Sequence, residues 1–160
     1  MTISVGQQAP DFSLYNSNKE LVTLSEQKGK NVVLLFFPLA FSSVCTAELC
    51  GVRDNIATYN SVNAVVFGIS VDTPQTLKKF KDEQHFTFEL LSDFNKEVST
   101  QYDALYETFS LGMKGVSKRA AFVVDDAGII RYAEVLENAG EVPNFAKINE
   151  VLSQLGKSKV

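Results

Sequence analysis

The first of the two cysteines, Cys45, follows an apolar run at a spacing that could make its thiol a nucleophile. Residues 31–37, Asn-Val-Val-Leu-Leu-Phe-Phe, show no helical gaps and stop at Pro38, which is typical of a strand buried on both faces. Ser42 and Ser43 are both good helix caps, so Cys45 falls at the second or third helical position, among N–H groups without a partner inside the helix. Because a helix N-terminus carries roughly half a unit of positive charge, this position favours the thiolate. From position alone, a small buried apolar residue at a helix start is an equally good interpretation.

The residues around this cysteine form a recognisable motif. Pro38-x-x-x-Ser42-x-x-Cys45 resembles the peroxiredoxin active-site pattern Pro-x-x-x-Thr/Ser-x-x-Cys, and Glu48 matches the glutamate that the family places three residues after its cysteine. The resemblance implies a thiol-dependent peroxidase that reduces hydrogen peroxide and organic hydroperoxides through a sulfenic acid at Cys45. It also implies that Pro38 shapes the loop and shields the thiolate, and that Glu48 orients an arginine.

The likeness extends over nearly the whole chain. Peroxiredoxins place an arginine just before a late strand, and Arg119 followed by the apolar run 120–124 is similar to that pattern. The opening residues 5–12 are also similar to the family's start. Without the motif, Arg119 would be interpreted as a surface charge beside a strand.

The resemblance assigns further roles residue by residue. Arg119 would hold the thiolate and the peroxide with its fork of N–H groups, the Ser42 hydroxyl would bond a peroxide oxygen, and the backbone N–H groups of Val44 and Cys45 would stabilise developing charge. Ser42 departs from the commoner threonine, since it keeps the hydroxyl but loses the methyl group that restricts the rotamer.

The second cysteine, Cys50, is a candidate resolving residue. In an intact helix its Cα would lie about 140° around the axis and roughly 8 to 9 Å from that of Cys45, whereas a disulfide needs no more than about 7 Å. The helix must therefore unwind, and Gly51 weakens it by roughly 1 kcal/mol relative to alanine. Cys50 aligns with Thr46 and Arg53 rather than with the apolar stripe. The spacing resembles that of the bacterioferritin-comigratory branch of peroxiredoxins, where the second cysteine attacks the sulfenic acid of the first and so resolves it. The one-cysteine branch is similar but relies on an external thiol for this step. In that case Cys50 would be an inert residue on the flank of the helix.

The elements that must position these residues follow from hydrophobic periodicity and turn signals. In chain order the predictions are a small hairpin within 11–24, the strand 31–37, the cysteine helix with Leu49, Val52, Ile56 and Tyr59 on its apolar face, the strand 64–71, a helix starting at Thr73-Pro74, a strand 88–91, a helix 95–102, a loop 105–118, a hairpin of 120–124 with 129–136, and a helix from about 143 to 155. Strand, helix and strand form a right-handed βαβ unit. We therefore expect an α/β protein of one domain, residues 1–160, whose central mixed sheet has helices on both faces and which resembles the thioredoxin fold of the peroxiredoxin type.

Composition excludes several other classes of protein. The chain is 45% apolar with a net charge of −4 spread along its length, which indicates neither a nucleic-acid surface nor a membrane face. It has no signal-peptide pattern and no apolar run long enough to span a bilayer, and its closely spaced cysteines favour a reducing compartment, so a cytoplasmic location is expected.

The sequence offers few candidate metal ligands. Two cysteines and His85, the single histidine, give at most three, so we expect no metal site, and we expect no cofactor. His85 is expected at the surface, at a helix end. The expected partners are a hydroperoxide and a thioredoxin-like or low-molecular-weight thiol reductant, and the expected assembly is a monomer or a homodimer.

Two alternatives belong to other functional classes. A thioredoxin-like thiol–disulfide oxidoreductase would have Cys-x-x-Cys and, by its own family resemblance, a cis-proline before the late strand; here the spacing is Cys-x-x-x-x-Cys and Arg119 occupies that approach. A binding or chaperone module on the same fold would not require the hydroxyl, the cysteine and the arginine together. Insulin reduction would indicate the first alternative, and a thiol that stoichiometric peroxide does not oxidise would indicate the second.

Overall fold

The computed structural model describes residues 3–157, which fold around one seven-stranded mixed sheet. The strands are β1 Ser13–Asn16, β2 Leu21–Thr23, β3 Asn31–Phe36, β4 Ala64–Ser70, β5 Glu89–Ser92, β6 Arg119–Val124 and β7 Ile130–Leu136. They lie in the sheet in the order β2-β1-β5-β4-β3-β6-β7. The helices are α1 Ser43–Asp54, α2 Ile56–Ser61, α3 Pro74–Gln84, α4 Glu97–Gln101 and α5 Phe145–Lys157. No helix within the described residues is both long and apolar enough to cross a membrane. The predicted α/β class is confirmed.

The pairing of the central strands decides where the loops after them meet. Strand β3 runs parallel to β4 and antiparallel to β6, while β4 runs parallel to β5. The register aligns Phe36 with Ala120 in β6, so the first residue of β6, Arg119, lies level with the point where the chain leaves β3. The carboxyl end of β3 and the start of β6 therefore lie side by side, although more than 80 residues separate them in the chain.

The sheet separates two apolar cores, and strand β3 contributes to both because its side chains alternate between faces. All six residues of β3 are buried, as the apolar run predicts. One face packs against α1, α3 and α5, through Val33, Leu35, Leu49, Val52, Leu77, Phe80, Ile148 and Leu152. The other face packs against α4 and the N-terminal segment, through Val32, Leu34, Phe36, Phe12, Val98 and Tyr102. Helices on both faces are thus confirmed.

Most predicted elements are present, and the differences have local causes. The cysteine helix does not continue through Ile56 to Tyr59, because it ends at Asp54 and a separate helix begins at Ile56. At the break the Asn55 side chain donates to the Gly51 carbonyl at 2.8 Å, a local hydrogen bond of the kind that competes with helix propagation. The helix predicted at 73–74 does begin there, with Pro74 in its first turn and the Thr73 hydroxyl accepting from the Thr76 N–H.

Candidate active site

Cys45 lies at the third position of helix α1 and is fully buried. The first backbone bond of the helix runs from the Thr46 N–H to the Ser42 carbonyl at 2.9 Å. The N–H groups of Ser43, Val44 and Cys45 therefore have no acceptor within the helix. Cys45 therefore lies in the first turn of the helix, at one of the two positions that the sequence predicts for it.

Ser42 caps the helix by its backbone rather than by its side chain. It has the extended conformation of a cap residue, yet its hydroxyl accepts no hydrogen bond from the helix and instead donates to the Leu39 carbonyl at 2.8 Å. Pro38 is buried at the start of this loop, and Phe41 adopts a left-handed conformation with φ 69°. The turn from β3 into α1 is therefore closed by a hydrogen bond within the loop itself.

Arg119 reaches the cysteine from the neighbouring strand. Its side chain is 2% exposed, and Nη2 donates to the Cys45 sulfur at 3.1 Å. Nη1 donates to Glu48 Oε1 at 2.6 Å, and Nε donates to the Ala139 carbonyl at 3.0 Å. Each of the three nitrogens of the guanidinium thus has an acceptor. The structure brings Cys45, Glu48 and Arg119 together as the sequence predicts, with the difference that Arg119 is the first residue of the strand rather than the residue before it.

The charges in this group influence one another because all three side chains are buried. Burial raises the pKa of the Glu48 carboxyl to about 7, and the charge and hydrogen bond of Arg119 only partly oppose that rise. Burial lowers the pKa of Arg119, but its contacts with Cys45 and Glu48 raise it by more, so the guanidinium is held in its charged form. Arg119 is therefore a permanent cation shared between a sulfur and a carboxyl group.

Cys50 occupies a different environment on the same helix. It is half-buried, packs at the edge of the apolar core and donates through its sulfur to Gln84 Oε1 at 3.4 Å. The Arg53 guanidinium donates to the Gln84 carbonyl at 2.6 Å, so both residues contact the end of α3. The prediction that Cys50 stands apart from the apolar stripe is only partly correct, because the end of α3 covers this flank of α1. His85, which follows Gln84, is exposed at the end of α3 as predicted.

Two contributors to the site were not predicted from the sequence. Asp72 accepts from the Ala40 N–H at 2.8 Å and from the Ser70 hydroxyl at 2.7 Å, and so ties the loop before α1 to the end of β4. The Ala139 carbonyl, in the segment after β7, accepts from Arg119. The position of Asp72 just beyond a parallel strand was a usable signal, since sites form outside the carboxyl ends of such strands. A backbone carbonyl such as that of Ala139 carries no sequence signal.

Known proteins resemble this chain in both sequence and structure. Residues 5–133 match the AhpC/TSA family. The chain is 43% identical over 156 residues to alkyl hydroperoxide reductase E of Mycobacterium tuberculosis, covering 96% of this chain and 98% of that protein. It is 35% identical over 130 residues to peroxiredoxin Bcp of Bacillus subtilis, covering 80% and 82%. Among solved structures, peroxidoxin BcpB of M. tuberculosis superposes with a TM-score of 0.81 at 28% identity over 96% of both chains.

Proposed function

This chain belongs to the AhpC/TSA family of peroxiredoxins, which makes it a thiol-dependent peroxidase, and we propose that Cys45 is the nucleophile with which it reduces hydroperoxides. The observation that carries the assignment is the 3.1 Å hydrogen bond from Arg119 to the Cys45 sulfur, made by a buried guanidinium. A permanent cation at this distance stabilises the thiolate, and the thiolate is the form that attacks.

The first step is attack on the O–O bond. The Cys45 sulfur bonds to the terminal oxygen of the hydroperoxide, the O–O bond breaks, and the departing alkoxide takes a proton from water to become an alcohol. The cysteine is oxidised to a sulfenic acid, and the peroxide is reduced by two electrons. Each Nη group of Arg119 carries two N–H bonds, so Arg119 can hold the sulfur and also donate to a peroxide oxygen beside it.

Ser42 has a defined part in this proposal. Because its hydroxyl proton is donated to the Leu39 carbonyl, its oxygen acts as an acceptor for the O–H of the hydroperoxide. The free N–H groups of Val44 and Cys45 provide further donors for the charge that develops on the oxygens. The buried ring of Pro38 keeps water from the thiolate, and Glu48 positions Arg119 through the 2.6 Å hydrogen bond.

We further assign Cys50 as the resolving cysteine. The Cys50 sulfur would attack the sulfenic sulfur, so that the S–S bond forms as the S–O bond breaks, and the departing hydroxide would take up the Cys50 proton and leave as water. A thioredoxin-like or low-molecular-weight thiol would then reduce that disulfide. Both cysteines belong to one continuous helix, in which their Cα atoms are about 8 to 9 Å apart. Because that exceeds the reach of a disulfide, α1 must unwind between the two steps. A catalytic thiol of this kind works in a reducing compartment such as the cytoplasm.

Intact mass after one equivalent of hydroperoxide, under non-reducing conditions, tests both assignments. We expect a species two hydrogens lighter than the reduced protein, whose peptide map links Cys45 to Cys50. A species one oxygen heavier, with Cys50 still open to alkylation, would leave Cys45 as the nucleophile and overturn the role of Cys50. Unchanged mass would overturn both roles. Light scattering of the reduced and oxidised protein separates a monomer from a homodimer.

A further inference from the structure

The Ala139 carbonyl, which accepts from Arg119 Nε at 3.0 Å, belongs to a tight turn that follows strand β7. We call residues 136–141 the β7 turn. Asn138 closes it with two hydrogen bonds. Its carbonyl accepts from the N–H three residues further on at 3.1 Å, and its side chain accepts from the Gly140 N–H at 2.9 Å. Both bonds span Ala139, so Asn138 fixes the direction in which the Ala139 carbonyl points.

Tyr106 anchors the β7 turn from a separate part of the chain. Its hydroxyl lies 3.1 Å from the Leu136 carbonyl oxygen and 3.0 Å from that of Glu137, and donates its proton between them. Burial and the charge of Glu137 raise the pKa of this hydroxyl by more than the charge of Arg119 lowers it, so the donor keeps its proton. Lys118 also reaches the turn, but the side chain of its partner Glu137 is 79% exposed, and such surface ion pairs contribute little.

The loop before β6 fixes both Tyr106 and the backbone of Arg119. The Tyr106 N–H donates to the Val116 carbonyl at 2.9 Å. The Lys118 N–H donates to the Ala104 carbonyl at 2.7 Å, and Arg119 is the next residue along the chain. The same pair of hydrogen bonds therefore locates the start of the Arg119 side chain and the hydroxyl that anchors its acceptor.

The position of the β7 turn affects the contact between Arg119 and the sulfur. A guanidinium is planar and rigid, so its N–H groups point in linked directions. Because Arg119 is buried, an unpaired N–H would carry a desolvation penalty, and the guanidinium must turn toward its acceptors. If the Ala139 carbonyl moved, Nε would move with it, and Nη2 would leave its place 3.1 Å from the Cys45 sulfur.

We propose that Tyr106 and Asn138 are positioning residues for the peroxide reaction, because together they hold the β7 turn so that the Ala139 carbonyl sets the plane of the Arg119 guanidinium. They act through Arg119 rather than on the sulfur itself. The inference rests on the proposed function of Cys45 and Arg119, and it extends that function to a turn on the surface of the protein.

Single-turnover kinetics in a Cys50→Ser background, where Cys45 is the only thiol, test this role. Tyr106→Phe, which keeps the ring and removes the donor, and Asn138→Ala should each slow the reaction of Cys45 with hydrogen peroxide about fivefold or more. Each should also raise the midpoint of Cys45 alkylation against pH by about half a pH unit, because the thiolate loses part of its contact with the cation. Asn138→Asp, whose carboxylate can accept from the same N–H, should restore both values.

Tyr102→Phe is the matched control. It removes a buried hydroxyl that also donates to a backbone carbonyl, that of Pro10 at 2.6 Å, in the core on the other face of the sheet. It should lower the melting temperature and leave the peroxide rate and the alkylation profile unchanged. If Tyr106→Phe gave this result, the role of Tyr106 would be overturned. The same result for Asn138→Ala, or no recovery in Asn138→Asp, would overturn the role of Asn138.

Combination with Arg119→Ala shows whether the β7 turn acts through Arg119. In that background Tyr106→Phe and Asn138→Ala should cause no further slowing, because their route to the sulfur is gone. An undiminished loss there would overturn the proposal. Arg119→Ala alone separates this inference from the proposed function. An unchanged rate in Arg119→Ala would contradict the proposed function itself, whereas slowing by Arg119→Ala and by neither turn variant would overturn only the inference.

Discussion

The two cysteines share the twelve-residue helix α1 but lie in contrasting surroundings. Cys45 is completely buried in the first turn, beside unpaired N–H groups and 3.1 Å from a guanidinium nitrogen. Cys50 is half-buried in the second half of the helix, packs at the edge of the apolar core, and donates a hydrogen bond to the neutral amide of Gln84 at a longer distance of 3.4 Å. A guanidinium donates to the sulfur at one end of the helix, whereas a neutral amide accepts from the sulfur at the other.

In the mechanism that we propose, this difference separates two demands that the reaction makes on one helix. Attack on a peroxide needs a nucleophile held in place, and the buried contacts of Arg119 and Glu48 provide that at the N-terminal end. Disulfide formation needs the cysteines to approach, which the helix forbids until it unwinds. The second half of α1 suits unwinding, because it contains Gly51 and ends at the break before Ile56. The following variants are expected to break or sharpen this contrast.

Cys45→Ser should have the largest effect. Removing the nucleophile leaves no thiol in the charged environment, so peroxide consumption should fall by a factor on the order of 10³ or more. The measurement is the rate of peroxide loss with excess thiol reductant. The matched variant is Cys50→Ser, which should react once with peroxide and, without reductant, stop at the sulfenic acid. Substantial turnover by Cys45→Ser would contradict the proposed roles of the two cysteines.

Arg119→Ala should slow the peroxide reaction by about a hundredfold, the usual effect of losing one preorganised donor. It should also lower the alkylation rate of Cys45 at neutral pH, because the thiolate loses its cation, while Cys50 alkylation is unchanged. The neighbouring Lys118→Ala is the control, since Lys118 pairs with the exposed Glu137 instead. If both variants alkylated at Cys45 like the wild type, Arg119 would not be the partner of the thiolate.

The contrast was only partly predictable from the sequence. Cys45, Glu48 and Arg119 could be named because a motif and a strand pattern specify their types and places. The environment of Cys50 could not, because it depends on where α3 ends relative to α1, which the periodicity of either helix leaves open. The tie from Asp72 to the loop before α1 likewise joins residues 32 positions apart and depends on the paths of two loops.

Glu48→Gln tests how the charged end of α1 affects stability. The folded-state pKa of Glu48 is raised from 4.5 to about 7, so between these values the folded protein binds more protons than the unfolded chain. The free energy of unfolding must then fall as pH rises, by about 2 kcal/mol between pH 5 and pH 7 from this group alone. Urea unfolding of the wild type and Glu48→Gln at both pH values isolates that contribution by difference. A constant difference between the two proteins would show that Glu48 stays ionised throughout.

Gly51→Ala should have the smallest effect, and it addresses the flexible end of the helix. Because an added Cβ would meet no atom within 4 Å, the change alters helix propensity without altering packing. Stabilising the helix by about 1 kcal/mol should slow a disulfide step that requires unwinding by about fivefold. Stopped-flow oxidation separates the two steps: the first reaction with peroxide should keep its rate, and only the formation of the disulfide should slow. Ala47→Gly, an exposed position in the same helix, should shift the second rate in the opposite direction. If neither variant changed that rate, unwinding of α1 would not limit resolution, and the contrast between the two ends of the helix would have no kinetic consequence.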